Sequence, residues 1–179
     1  MTAEPLGPPA ESVDLRAVKV GGAGARAELY RTYAPVVHGI AVASVGYGEA
    51  EDVTHEVFLK VFRRIDELRD PTALGAWVCG IARNAARDWL RRRRRRVATS
   101  LDTEVAAAEP PDVALADRVL ALVRTLPEAY RDTLVLRLVE GLTGPEIAAR
   151  TGMTHGSVRV NLHRGMGLLR PLLESEGWR

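Results

Sequence analysis

Residues 143–170 constrain the fold most, because they hold the start and stop signals of two short helices joined by a tight turn. Thr143 can cap the first helix, and Glu146 follows it at the spacing of a capping box. Gly152 suits the left-handed conformation that commonly ends a helix. Thr154 can then cap the second helix. This order of signals predicts a helix-turn-helix.

The second of these helices has the composition of a DNA-binding helix. Val158 and Leu162 recur at i and i+4 and predict its buried face. Residues 150–170 contain four arginines and no acid, and the second helix of such a motif enters the major groove of DNA. An ordinary helical hairpin with a solvated basic face is the alternative. The outer face is predicted to carry Ser157, Arg159, Asn161, His163 and Arg164.

The remaining sequence also favours helices, so we expect an all-α fold. Only 5% of the 179 residues are aromatic, and glycine and proline fall between helix-like segments. No apolar run reaches the roughly 18 residues that indicate a membrane span, and the N-terminus lacks the pattern of a signal peptide. The single cysteine, Cys79, excludes an intramolecular disulfide and suits a reducing cytoplasm. No metal site, cofactor or catalytic constellation is expected, which argues against an enzyme.

Charge is distributed unevenly along the chain. Residues 63–96 carry eleven arginines and four acids, whereas residues 97–113 carry four acids and no base. Two basic modules with a link of opposite charge are typical of a chain that contacts nucleic acid twice. The predicted organisation is a disordered segment with a possible short helix over 1–25, a helical domain over 26–96, a flexible acidic linker over 97–111, a second helical domain over 112–173 and a tail over 174–179.

Three blocks of sequence resemble the extracytoplasmic-function group of bacterial sigma factors, within the sigma-70 family. AEDVTHEVFLKVFRRI at 50–65 is similar to the helix that docks on the RNA polymerase clamp. AWVCGIARNAARDWLRRRRRR at 76–96 is similar to the helix that reads and melts the minus-ten element. The block at 126–165, which contains the helix-turn-helix, resembles the domain that reads the minus-thirty-five element. The resemblance implies a region 2-like helical bundle and a region 4-like helix-turn-helix domain.

The resemblance also implies three sets of site residues. The expected contacts with core polymerase, which is bound through its clamp helices and flap, are Asp52, His55 and Glu56. The expected contacts with the minus-ten element, including the loop that receives a flipped base, are Thr72, Leu74, Arg83, Asn84 and Arg87. The expected contacts with the minus-thirty-five element are Ser157, Arg159, Val160, His163 and Arg164.

The function implied by the resemblance is promoter recognition, promoter melting and transcription initiation at a specific regulon by a cytoplasmic protein. Its implied partners are core RNA polymerase, promoter DNA and an anti-sigma factor, without stable insertion in a membrane. The alternative is a stand-alone helix-turn-helix repressor, which would bind its operator tightly without polymerase, usually at a palindrome. A third class, a pure interaction protein, would lack DNA-competent arginines in both domains.

Overall fold

The computed structural model describes residues 13–99 and 111–178, and these residues are folded almost entirely as α-helices. Short 3-10 turns at Ile65–Glu67 and Pro71–Ala73 separate α3 from α4. The helices are α1 (Leu15–Lys19), α2 (Ala23–Val45), α3 (Tyr47–Arg64), α4 (Leu74–Thr99), α5 (Pro111–Arg124), α6 (Glu128–Leu138), α7 (Gly144–Thr151) and α8 (His155–Ser175).

Helices α1–α4, the N-terminal half, form a bundle around α2. The Val53, Val57 and Val61 row of α3 is buried against α2 and α4, as the i, i+4 spacing predicts. The sequence predicts a kink or break at Pro35, but α2 continues through this residue. Residues on both sides of Pro35 are buried, so tertiary packing holds the helix together despite the missing backbone donor.

Helices α5–α8, the C-terminal half, contain the predicted helix-turn-helix at α7 and α8. Thr143 and Glu146 form the capping box at the start of α7. Gly152 ends that helix in the left-handed region with a φ of 72°. The Thr154 side chain caps α8 by accepting a hydrogen bond from the backbone N–H of Ser157. The local signals for both helices are confirmed.

The N-terminal segment and the start of α3 show how the structure compares with the predicted boundaries. The short helix expected within residues 1–25 is present as α1: Asp14 caps it, and Val18 is fully buried. The sequence Tyr47-Gly48-Glu49 predicts a turn, but these residues form the first turn of α3, because the chain reverses one residue earlier at Gly46, which has a φ of 100°. Residues 1–12 lie outside the described residues.

The expected linker and tail are also shorter than predicted. Helix α4 continues to residue 99 and α5 begins at residue 111, so both ends of the expected linker are helical. The acids Asp102, Glu104 and Glu109 lie outside the described residues. Helix α8 extends to residue 175, and the guanidinium of Arg118 lies 5.4 Å from the centre of the Trp178 ring, which holds the tail against α5.

The two halves pack directly against each other and share one hydrophobic core. Helix α6 lies on α2, and α7 lies on α4. A Cβ atom at Gly39 would lie 2.8 Å from Leu136 Cδ2, and one at Gly75 would lie 2.7 Å from the backbone oxygen of Arg150. Glycine therefore permits the close approach of the halves at both places. Within the described ranges, no helix is long and apolar enough to cross a bilayer.

Candidate nucleic-acid interface

The outer face of α8 carries the five residues predicted to contact the minus-thirty-five element. All five are exposed, whereas Val158 on the opposite face is 1% exposed. Arg159 and Arg164 form no salt bridge with any described residue, so both guanidinium groups face solvent. Such a face suits phosphates and the acceptor atoms of base edges. The residues it presents are Ser157, Arg159, Val160, His163 and Arg164.

Asn161 is the exception on this helix, because it does not face outward as the sequence predicts. Its Nδ2 atom donates weak hydrogen bonds to the backbone oxygen of Ala129, at 3.4 Å, and to the hydroxyl of Thr133, at 3.5 Å. Both acceptors belong to α6. Asn161 therefore helps to orient α8 on α6 and belongs to the packing face.

A second polar surface is a cleft of about 400 Å³ between α3 and α4. Asn84 and Arg87 lie in it, and Arg87 donates a hydrogen bond from Nη1 to Asn84 Oδ1 at 3.1 Å. Because the Asn84 oxygen accepts this bond, its amide nitrogen points away from Arg87, and it donates to no described residue. A cleft lined with cations and an amide suits a single-stranded nucleic acid, whose backbone needs cations and whose bases need hydrogen-bonding groups. The other residues that line it are Lys60, Arg64, Ile81, Asp88 and Arg91.

Sequence reasoning missed Lys60, Arg64 and Arg91 as members of this cleft. The first two lie four residues apart on α3 and therefore share one face of that helix. This spacing was a detectable signal, but the side of α4 on which that face lies depends on tertiary packing. Each of the three also contacts an acid: Glu56, Glu67 and Asp88, respectively.

Arg83 lies outside this cleft, although it is adjacent in sequence to Asn84. Its Nε atom donates a hydrogen bond to Asp132 Oδ2 of α6 at 2.8 Å. The Asp132 side chain is only 4% exposed. Burial raises the pKa of Asp132 above its usual value, although Arg83 opposes the shift. Burial alone would lower the pKa of Arg83, but the hydrogen bond with Asp132 outweighs it and raises that pKa.

Of the remaining predicted minus-ten residues, Thr72 lies in the 3-10 turn before α4 and Leu74 is the first residue of α4. The backbone N–H and the hydroxyl of Thr72 both donate to Asp70 Oδ1, at 2.9 and 2.7 Å, and these bonds lower the pKa of Asp70. Thr72 is exposed, but Leu74 is only 3% exposed. Both line a crevice of about 360 Å³ whose opposite wall includes Ala149 and Gly152 of the C-terminal half.

The predicted polymerase face lies on α3. Asp52 and His55 are exposed and lie near each other on the helix surface. Glu56 is partly buried and accepts hydrogen bonds from Lys60 and Arg92, each at 2.7 Å. Burial disfavours the Glu56 carboxylate, but these two bonds outweigh burial and lower its pKa. Asp52 and His55 are thus accessible to solvent, whereas Glu56 is hydrogen-bonded to Arg92 at the basic end of α4.

Comparison of sequences places both halves in known families. Residues 29–96 match the family described as Sigma-70 region 2, and residues 116–169 match the family described as Sigma-70, region 4. The RNA polymerase sigma factor CarQ of Myxococcus xanthus is 35% identical over 86% of this chain and 91% of its own length. The ECF RNA polymerase sigma-E factor of Escherichia coli K12 is 31% identical over 65% of this chain and 70% of its own length.

Comparison of structures agrees on the fold. The structure of CnrH in complex with the cytosolic domain of CnrY has a TM-score of 0.60 and 22% identity, and the match covers 93% of this chain and 98% of that chain. The sigma factor RpoE of Bartonella quintana, in complex with the anti-sigma factor NepR, has a TM-score of 0.52 and 23% identity. That match covers 83% of this chain and 96% of the other. At these identities the matches concern the all-helical fold.

Proposed function

Because the chain belongs to the sigma-70 family of RNA polymerase sigma factors, and to its extracytoplasmic-function group, we propose that it binds core RNA polymerase and directs promoter recognition, melting and initiation. One observation carries this proposal beyond family membership. The chain has two separate DNA-competent surfaces, the exposed face of α8 and the α3–α4 cleft. A protein that only binds duplex needs the first, whereas a protein that opens duplex also needs the second.

In this proposal α8 reads the minus-thirty-five element in the major groove. Arg159 and Arg164 contact base edges or phosphates, since both are exposed and without a salt bridge to a described residue. Val160 offers an apolar contact to a thymine methyl group, and His163 lies beside it on the same face. Ser157, at the start of α8, contacts a phosphate together with the first backbone amides of the helix.

The α3–α4 cleft and the loop before α4 hold the unpaired minus-ten strand. Asn84 bonds a base edge through its free amide nitrogen, and Arg87 contacts the backbone. Arg83, which lies outside the cleft and donates to Asp132, has no part in this contact. The loop that carries the exposed Thr72 receives a base that has left the stack, a step that costs a few kcal/mol of unstacking. Leu74, which is only 3% exposed, packs beneath this loop. The acidic face of α3, with Asp52, His55 and Glu56, meets the polymerase.

The proposal extends to organisation and partners. Two domains, which contain α1–α4 and α5–α8, are joined by the acidic segment between α4 and α5 and act in the cytoplasm. The sigma factors in the matched complexes are bound by the cytosolic domain of CnrY and by the anti-sigma factor NepR. We expect an anti-sigma factor to bind this chain as well. The polymerase supplies the chemistry of transcription, so the chain itself is not an enzyme.

The direct test is initiation by the purified chain with core polymerase on genomic DNA of the organism that encodes it. Sequencing the transcript 5′ ends should reveal one shared upstream motif, and permanganate should modify unpaired thymines near the start sites. Asn84→Ala should reduce permanganate reactivity while it leaves binding of the upstream element nearly unchanged. High-affinity binding of the free chain to one duplex site, with no opening when polymerase is added, would instead support the repressor alternative.

The polymerase face has its own test. The double variant Asp52→Lys, Glu56→Lys should lose association with core polymerase in a pull-down and keep a cooperative circular-dichroism melt. The double variant Glu174→Lys, Glu176→Lys makes the same change of charge at the far end of α8 and should bind normally. If both double variants bind as the wild type does, the assignment of this face is wrong.

A further inference from the structure

The crevice between the start of α4 and the end of α7 is large enough to hold a small molecule. Its volume of about 360 Å³ equals that of about twelve water molecules in the liquid and lies in the range of ligand pockets. Its walls are mostly apolar, with Val13, Leu15, Leu74 and Ala149 among them, and none of the described residues that line it is acidic. The crevice therefore suits a molecule with an apolar body.

Tyr33 of α2 also lines the crevice, and its hydroxyl forms no hydrogen bond with a described residue. The side chain is only 1% exposed. A buried tyrosine hydroxyl normally has a hydrogen-bond partner, because an unpaired polar group loses its interaction with water on burial. The partner of this hydroxyl is therefore a molecule that occupies the crevice, either water or a ligand.

The Tyr33 hydroxyl is a hydrogen-bond donor at neutral pH and lies in a positive electrostatic field. Burial raises the pKa of Tyr33 to about 12, and the Cys79 thiol adds to this shift, so the hydroxyl stays protonated. The guanidinium of Arg150 lies close enough to oppose the shift in part, and its side chain is only 4% exposed. A buried donor beside a positive charge favours an acceptor that is an anion.

We propose that this crevice is a binding site for a small monocarboxylate with an apolar body, about the size of benzoate. The Tyr33 hydroxyl donates a hydrogen bond to the carboxylate, and the charge of Arg150 favours the anion over a neutral molecule. The apolar body packs against Leu15 and Leu74, where its burial supplies the hydrophobic part of the affinity. The site needs neither polymerase nor DNA, so it stands or falls independently of the function proposed above.

The test titrates the full chain with three probes in a calorimeter. Benzoate has both the charge and the apolar body, acetate has the charge without the body, and benzamide has the body without the charge. Benzoate should bind at least about tenfold more tightly than either of the other two, because each of them lacks one of the two interactions. Benzoate should also raise the melting temperature of the chain, since a ligand that binds only the folded state stabilises it.

A first variant removes the hydroxyl and keeps the buried ring. Tyr33→Phe should weaken benzoate binding about tenfold, as expected for the loss of one hydrogen bond to a charged group. The matched control, Tyr30→Phe, removes the same atom from a tyrosine that is 37% exposed and does not line the crevice, and it should bind benzoate as the wild type does. Equal affinities of Tyr33→Phe and the wild type would overturn the proposal.

A second variant fills the crevice from an exposed position. Ala149→Leu places a larger side chain on the crevice wall and should weaken benzoate binding by at least about tenfold, whereas Ala121→Leu, at an exposed position of α5, should have no effect. Thermal melts without a probe check that both variants fold. Equal binding of benzoate by both leucine variants would place it on surface arginines and overturn the proposal. If the wild type bound none of the three probes, water would be the partner of the Tyr33 hydroxyl, and the proposal would again be overturned.

Discussion

Helices α4 and α8 both carry arginines and both are predicted to contact DNA, but their side chains have different surroundings. The arginines of α4 contact acids: Arg83 contacts Asp132, Arg92 contacts Glu56, and Arg93 lies 3.6 Å from Glu49. Arg159 and Arg164 of α8 form no salt bridge within the described ranges. One basic helix is thus partly neutralised by the protein itself, and the other is ready for an external anion.

This difference matches the two kinds of DNA that the helices are proposed to bind. Duplex DNA is present at all times, so the face of α8 that is proposed to bind it can stay exposed to solvent. Single-stranded DNA appears only after melting, and an exposed basic cleft would bind any single strand or RNA in the cell. Internal carboxylates are one way to limit such binding. Four measurements test these side chains and the packing around them.

The largest effect should come from the same substitution made on the two helices. Arg83→Ala removes the nearer of two cations from the buried Asp132 carboxylate, because Arg131 Nε remains 3.5 Å from Oδ1. Loss of this charged hydrogen bond should cost about 2–3 kcal/mol of unfolding free energy. Arg164→Ala removes an exposed side chain and should change stability by less than about 0.5 kcal/mol. Urea denaturation of both variants measures the contrast. Equal losses would show that the α4 pair has no special role in stability.

An alanine substitution at Arg159 of α8 should weaken DNA binding and leave the fold unchanged. Arg159→Ala should weaken promoter binding by the polymerase complex by about 1–3 kcal/mol and relax preference at one base position, as expected for a bidentate contact with guanine. Fluorescence titration against promoters changed at single positions gives this value. A uniform loss on all sequences, with a weaker salt dependence, would make Arg159 a phosphate contact instead.

Two glycines of α8 allow a matched test of its packing. A Cβ atom at Gly165 would lie 2.9 Å from Leu134 Cδ1, whereas nothing lies within 4 Å of one at Gly167. Gly165→Ala should destabilise the protein by about 1 kcal/mol, since crowding at α6 exceeds the gain in helix propensity. Gly167→Ala should stabilise it by up to about 1 kcal/mol. Thermal melts would contradict this account if the two variants shifted in the same direction.

The smallest effect concerns pH and the contact between His38 of α2 and Glu140, which follows α6. The hydrogen bond with Glu140, at 2.7 Å, raises the pKa of His38; burial opposes this and the nearby Glu51 supports it. The stability from this pair is fully present below the unfolded pKa of about 6.5 and is lost as pH rises through the raised folded pKa. Stability should therefore fall with rising pH more in the wild type than in His38→Gln. If the stability of the wild type and of His38→Gln changed with pH in the same way, the His38–Glu140 pair would not contribute to the pH dependence.

The sequence alone determined the local features of this protein. Helix ends follow from hydrogen bonds between near neighbours, so the roles of Thr143, Gly152 and Thr154 could be predicted from residue type and spacing. The buried rows of α3 and α8 follow from i, i+4 spacing, which also predicts that Arg159 and Arg164 face outward. The all-α class and the resemblance to sigma factors come from the same local patterns.

Tertiary structure decided which neighbour each face meets. The spacing of Arg83, Asn84 and Arg87 predicts one polar face, but Arg83 meets an acid 49 residues away and Asn84 opens into the cleft. Gly165 has a low helix propensity, but in the structure it is a place where α8 touches α6. These outcomes depend on contacts between distant segments, which short-range hydrogen bonds and helical periodicity do not encode.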